Sequence, residues 1–196
     1  PLAESTAARF GYERFDTSWE AIVEADDIDV VSVVVANRLH REIVEALLAA
    51  GKHVLCEKPL SDTIEDARAM VAAAEKASAL GRIGLTFRRS PGIASIRRLV
   101  QSGRLGRPLN ISASYWADYG CDPEGPISWR YKGPNGSGAL ADIGSHLSYL
   151  TEFAVGADIT SVRGGTLSTK TTGGSAFGGG VVSRDQFAFS EIYAPY

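Results

Sequence analysis

The chain has 196 residues, of which 44% are hydrophobic and 22% charged, with a formal net charge of −3. This is the composition of a globular protein with ample core for one large domain or two small ones, and its slight acidity excludes a general nucleic-acid binder. Only Cys56 and Cys121 could carry thiols. They lack framework spacing, which predicts free thiols in a reducing, cytoplasmic compartment.

No apolar run reaches the ~20 residues of a membrane span, and no signal peptide opens the sequence. "LAESTAARFG" reads as a helix ending at Gly11. A second helix follows, with Thr17 and Glu20 spaced as a capping box. "IDVVSVVVA" (28–36) is a continuous β-branched run, the pattern of a strand buried on both faces in a parallel sheet. "HREIVEALLAAG" places Ile43, Leu47 and Ala50 on one helical face and stops at Gly51. A short strand at 53–56 precedes a helix from Thr63 to Leu80, with Ala67, Met70, Val71 and Ala74 as its stripe and Gly81 as its end.

"IGLTF" (83–87) is read as the next strand, adjoining 29–35 and 53–56 in parallel. Ser90 caps the helix after it, Pro91 takes the first helical position and Gly103 stops it. Arg88, Arg89, Arg97 and Arg98 form the only basic cluster. A solvated helix face explains it more simply than a polyanion site.

After residue 107 the pattern changes. "LNISASYWADY" alternates like an antiparallel strand, 120–138 is a long Gly/Pro-rich loop, and "ALADIGSHLSYLTEFAVG" returns to helix. Beyond it come short strands broken by glycine, with residues 171–180 half glycine. The resulting fold class is α/β: a Rossmann-type parallel sheet, N-terminally incomplete, over 1–107, then an α+β domain with a mainly antiparallel sheet over 108–196.

Two places carry chemistry. In "GKHVLCEKPLSD" (51–62), Pro59 cannot donate to a ladder, so the strand ends and Glu57 and Lys58 emerge at its carboxyl end. In an open α/β sheet ligands bind at that edge; a solvated loop lysine is the plainer alternative. Asp142 and His146 stand four apart on one helix, close enough for the carboxylate to fix the imidazole tautomer of a general base. By itself that spacing also suits an ordinary polar helix face.

Taken in order, "ANRLH" (36–40), "GKHVLCEKP" (51–59), "FRR" (87–89), "WR" (129–130) and "GSGALADIGSH" (136–146) resemble the glucose–fructose oxidoreductase, inositol dehydrogenase and MocA (Gfo/Idh/MocA) family of nicotinamide-dependent enzymes. The resemblance implies NAD or NADP as cofactor, with Ala36, Asn37, His40, Glu57, Lys58, Trp129 and Arg130 at its site, Glu57 on the nicotinamide ribose. It implies Lys58, Asp142 and His146 as the catalytic group and no metal. The implied reaction is hydride transfer with a secondary alcohol or ketone of a sugar or polyol, in a homo-oligomer formed through the C-terminal sheet, without nucleic-acid or membrane partners.

An NAD-using glycoside hydrolase on this fold and a non-catalytic dinucleotide-binding protein are the alternatives. Three departures stand out. The family's opening strand, G-x-G-x-x-G turn and helix have no counterpart, and with them goes the residue that selects NAD or NADP. Tyr149 stands where the family has an aspartate, and residues 170–196 are compressed.

Overall fold

The computed structural model describes residues 2–116, 140–166 and 188–193. The chain divides into two compact units, Pro1–Gly84 and Leu85–Tyr196, earlier than the change of pattern at residue 107.

In the first unit α1 (Leu2–Phe10) and α2 (Glu20–Glu24) precede a parallel sheet in the order β1 (Val30–Val33), β2 (His53–Cys56), β3 (Gly81–Ile83). Val31 pairs with Val54 and Val33 with Cys56, and Cys56 in turn with Ile83. Side chains alternate across a strand, so Val33, Val54 and Cys56 share one face, all at most 3% exposed. Helix α3 (His40–Ala49) meets that face with Ile43, Val44, Leu47 and Leu48, and α4 (Ile64–Lys76) adds Met70. The other face differs from the expected double burial: Val30 is 64% and Leu55 42% exposed. Among the described residues the helices bury one face of the sheet.

Several boundaries differ from the sequence reading. The Thr17–Glu20 capping box does not form, because the Asp16 carboxylate takes the amides of Thr17 and Ser18 and α2 starts after Trp19 without a side-chain cap. Thr63 does cap α4, accepting from the Asp66 amide at 3.1 Å. That helix ends at Lys76 rather than Leu80. The cause is the ladder: the Leu80 carbonyl accepts from Val54 N at 2.8 Å, while its amide donates to His53 Nδ1 at 2.9 Å. Residues 77–80 are thereby drawn out of the helix, and Gly81 opens a strand instead of closing a helix.

The strand expected at 83–87 consequently spans Gly81–Ile83, and Thr86–Arg89 is a 3-10 turn. On α3 the stripe is His40, Ile43, Val44, Leu47 and Leu48, with Ala50 exposed. On α4, Val71 is 49% exposed. Gly51, at φ 78°, makes the left-handed turn from α3 into β2 that a side chain would oppose.

Lys52 is 6% exposed and donates from Nζ to the carbonyls of Ala25 and Ile28, tying the approach to β1 to the start of β2. Replacing it with methionine keeps the stem but removes the donor. We expect Lys52→Met to lower the urea unfolding free energy by about 1–3 kcal/mol, the cost of buried groups left unpaired. An unchanged midpoint would show that this tie contributes nothing.

In the second unit α5 (Pro91–Gln101) packs on α6 (Ser145–Val155), which follows a π-helical turn over Leu140–Gly144. Pro91 occupies the first turn as expected, though the Ser90 side chain makes no capping bond. Arg97 departs from the solvated basic face: its guanidinium donates to the Phe153 carbonyl and lies 4.5 Å over the Phe153 ring. Strands β4 (Ser161–Thr166) and β5 (Ala188–Tyr193) pair antiparallel.

Residues 108–116 form no strand; Leu109 is 89% and Trp116 64% exposed. None of the described residues pairs with this segment, and alternation alone does not make a strand. The remainder of that expected strand, the 120–138 loop and the glycine-rich 171–180 segment lie outside the described residues. Among the described residues no helix is long and apolar enough to cross a membrane, and no group of three His, Cys, Asp or Glu is placed to hold a metal.

Candidate active site

In the first unit the candidate site residues gather at the carboxyl ends of β1 and β2. The Glu57 amide donates to the Val33 carbonyl at 3.0 Å, extending the ladder one step beyond Cys56. The chain then turns at the Lys58–Pro59 peptide, which is cis. Glu57 Oε2 accepts from the Lys58 amide at 3.0 Å, which fixes the carboxylate beside the turn. Gly84 makes room for it: a Cβ there would lie 3.1 Å from Glu57 Oε1. Glu57 and Lys58 are half-buried.

Across β1, Ala36 is exposed and Asn37 half-buried on the 3-10 turn Asn37–Leu39 that leads into α3. His40 is different. It is 0% exposed, with Nδ1 3.1 Å from the Leu60 carbonyl and Nε2 3.2 Å from the Val35 carbonyl. Both ring nitrogens face main-chain carbonyls, and a neutral ring donates to one of them.

Cys56 ends β2 beneath these groups, and its thiol is pushed up to about 12, by burial first and by the Glu57 carboxylate second. The folded chain then keeps a proton that the unfolded chain loses at the ordinary thiol value of 9.0. Stability contributed by this group is intact below 9.0 and lost as pH rises from there toward about 12. We expect wild type to lose up to ~1.4 kcal/mol per pH unit more than Cys56→Ala across that window in urea unfolding. Parallel pH profiles would contradict it.

In the second unit Asp142 lies on the π-helical turn and His146 in the first turn of α6; they are 8% and 7% exposed. Aromatic rings enclose the imidazole. Phe87 stacks on it with centroids 4.2 Å apart and planes 22° apart, Tyr115 lies near-parallel at 6.1 Å, and Tyr149 is tilted at 5.8 Å. Such packing restricts ring rotation and lowers the local dielectric. Burial pushes the Tyr149 phenol up, opposed in part by the main chain at Arg88 and Phe87.

The packing of Phe87 and Tyr115 on the histidine has no local signal in the sequence. Phe87 falls at the end of the strand expected over 83–87, and only its place as the first residue of "FRR" hints otherwise. Trp129 and Arg130 lie outside the described residues.

A parallel sheet with a carboxylate and a lysine at its carboxyl edge is an arrangement in which α/β proteins bind ligands. Comparison with known proteins agrees. Residues 1–84 match a family model described as "Oxidoreductase family, NAD-binding Rossmann fold", and residues 93–188 match the "GFO/IDH/MocA C-terminal domain". The chain belongs to the Gfo/Idh/MocA family.

Among relatives, it is 38% identical over 156 residues to a levoglucosan dehydrogenase of Pseudarthrobacter phenanthrenivorans, covering 79% of this chain and 40% of that protein. It is 37% identical over 153 residues to a 1,5-anhydro-D-fructose reductase of Ensifer adhaerens, covering 78% and 45%. A solved levoglucosan dehydrogenase in complex with NADH and levoglucosan matches with TM-score 0.83 at 33% identity, over 98% of this chain and 54% of the other. The chain thus spans less than half the length of these two curated relatives.

Proposed function

We propose that the whole protein transfers a hydride between NAD or NADP and a secondary alcohol or ketone of a sugar or polyol. The observation that carries this reading is the delivery of Glu57 and Lys58, by the ladder and the turn at Pro59, to the carboxyl end of the central strand. The donor set suits a dinucleotide. Glu57, held by the Lys58 amide, presents a carboxylate suited to ribose hydroxyls, and the exposed Ala36 with Asn37 borders the same edge.

When bound, the nicotinamide supplies the hydride acceptor or donor. The chain's own residues handle the oxygen. Lys58 stabilises the alkoxide that develops as the hydroxyl proton leaves. His146 accepts that proton, with Asp142 setting its tautomer and the stacked Phe87 ring holding its plane. In the reductive direction the same groups protonate the carbonyl oxygen. The names of the relatives support a sugar-like substrate, since two act on anhydro sugars. We further infer a cytoplasmic protein, in keeping with the free, buried Cys56 thiol, and self-association through the C-terminal sheet.

The deciding experiment incubates the complete protein with NAD or NADP and a panel of sugars, polyols and anhydro sugars, following reduced nicotinamide by absorbance. Net reduction with one substrate class supports the reading. Sugar release from a glycoside without net reduction would identify a hydrolase instead, and dinucleotide binding without turnover a binding protein.

A further inference from the structure

We infer that His40 is a positioning residue, a strut that locks the loop after β1 to the turn after β2 and so pre-shapes the dinucleotide edge. This rests on the function proposed above for that edge. The imidazole is wholly buried and is one of the largest side chains in that state. Its two nitrogens reach opposite ways along the edge. Nε2 lies 3.2 Å from the carbonyl of Val35, two residues before Asn37, and Nδ1 lies 3.1 Å from the carbonyl of Leu60, two residues after Lys58.

One ring therefore faces both segments, bonding the carbonyl its tautomer selects and packing against the other. It does so from the first residue of α3, whose Ile43, Val44 and Leu47 are anchored in the core. The Leu60 side continues into the cap of α4, where Ser61 Oγ donates to the Thr63 carbonyl.

A leucine of similar bulk would fill the space equally well, so packing does not account for a histidine here. What the imidazole adds is N–H donation: a neutral ring gives one hydrogen to one carbonyl, and the tautomer decides which. Both carbonyls belong to irregular backbone just beyond the strand ends, where the ladder no longer supplies donors. Holding these segments in the unliganded protein removes an ordering cost that a ligand would otherwise meet on binding.

The test uses the complete protein with His40→Leu, which keeps volume and removes donors, and His40→Gln, which keeps an amide donor. Amide hydrogen exchange is followed at residues 36–39 and 57–60 and, as reference, along α4. We expect His40→Leu to lose roughly tenfold protection in the edge segment whose carbonyl the ring bonds, about the scale of one hydrogen bond, with α4 unchanged and His40→Gln partly restored.

The dissociation constant for the reduced dinucleotide should rise by a similar factor in His40→Leu. Unchanged protection at the edge, a loss spread evenly over the unit, or wild-type dinucleotide affinity in His40→Leu would overturn the strut. If His40→Leu does not fold, His40→Gln and the wild-type ring N–H decide: a ring proton exchanging as fast as in free imidazole overturns it, a protected one upholds it. Wild type that binds neither NAD(H) nor NADP(H) would refute the proposed function, while edge protection would still judge the strut.

Discussion

Lys58→Ala and His146→Ala are each expected to lower turnover of the complete protein by on the order of 10²–10⁴, the usual worth of a positioned acid–base group. Dinucleotide affinity should change far less. Lys58 has a restricted backbone, because its amide donates to Glu57 Oε2 and Pro59 follows it. Removing its side chain therefore takes away a cation without dismantling the turn. The loss should fall on kcat, where the alkoxide charge develops, rather than on ground-state binding.

For His146 the surrounding rings complicate the alanine variant. Phe87 stacks 4.2 Å from the imidazole, so alanine also opens a cavity. His146→Gln, which fills more of the space, is the companion variant and should lose turnover while unfolding like wild type. Turnover within a few-fold of wild type in Lys58→Ala or His146→Gln would remove that residue from the catalytic group.

The sheet was legible because β-branched runs and helical stripes are local signals. The run at 28–36 yields β1 over Val30–Val33, and the stripe of "HREIVEALLAAG" yields α3. Ends were less legible, since a partner decides them. Nothing near Lys76 announces that α4 stops there; the pull comes from Val54 N and His53 Nδ1 on a strand more than twenty residues earlier. The alternation of "LNISASYWADY" had a strand's pattern, yet residues 109–116 pair with none of the described residues.

The site divides in the same way. The exit of Glu57 and Lys58 at the strand end could be read from Pro59 following a short apolar run. The enclosure of His146 by Phe87 and Tyr115 joins segments remote in sequence, which no local pattern encodes. His40 was legible as a residue of the "ANRLH" motif. Its burial between two distant carbonyls was not, because no local pattern encodes them.

Leu47→Ala is expected to lower the unfolding free energy by about 2–5 kcal/mol, the range for truncating a buried leucine whose cavity only partly collapses. Leu47 is 1% exposed and lies within a cluster with Val44, Leu48, Val54 and Met70, between the sheet and α4. Well-packed neighbours on several sides leave little freedom to fill the space, which favours the upper part of that range. Against a typical domain stability of about 5–15 kcal/mol this is a large fraction.

Val71→Ala supplies the contrast. Val71 belonged to the expected apolar stripe of α4, but it is 49% exposed, and alanine is the better helix former. Its unfolding midpoint should stay near wild type, within the ~0.5 kcal/mol usual for surface changes. Urea denaturation of both variants tests whether the buried face of the helical layer runs through Leu47 and Met70, as the structure has it. A Leu47→Ala cost below ~1 kcal/mol, or a Val71→Ala cost above it, would move the core to a different helix face.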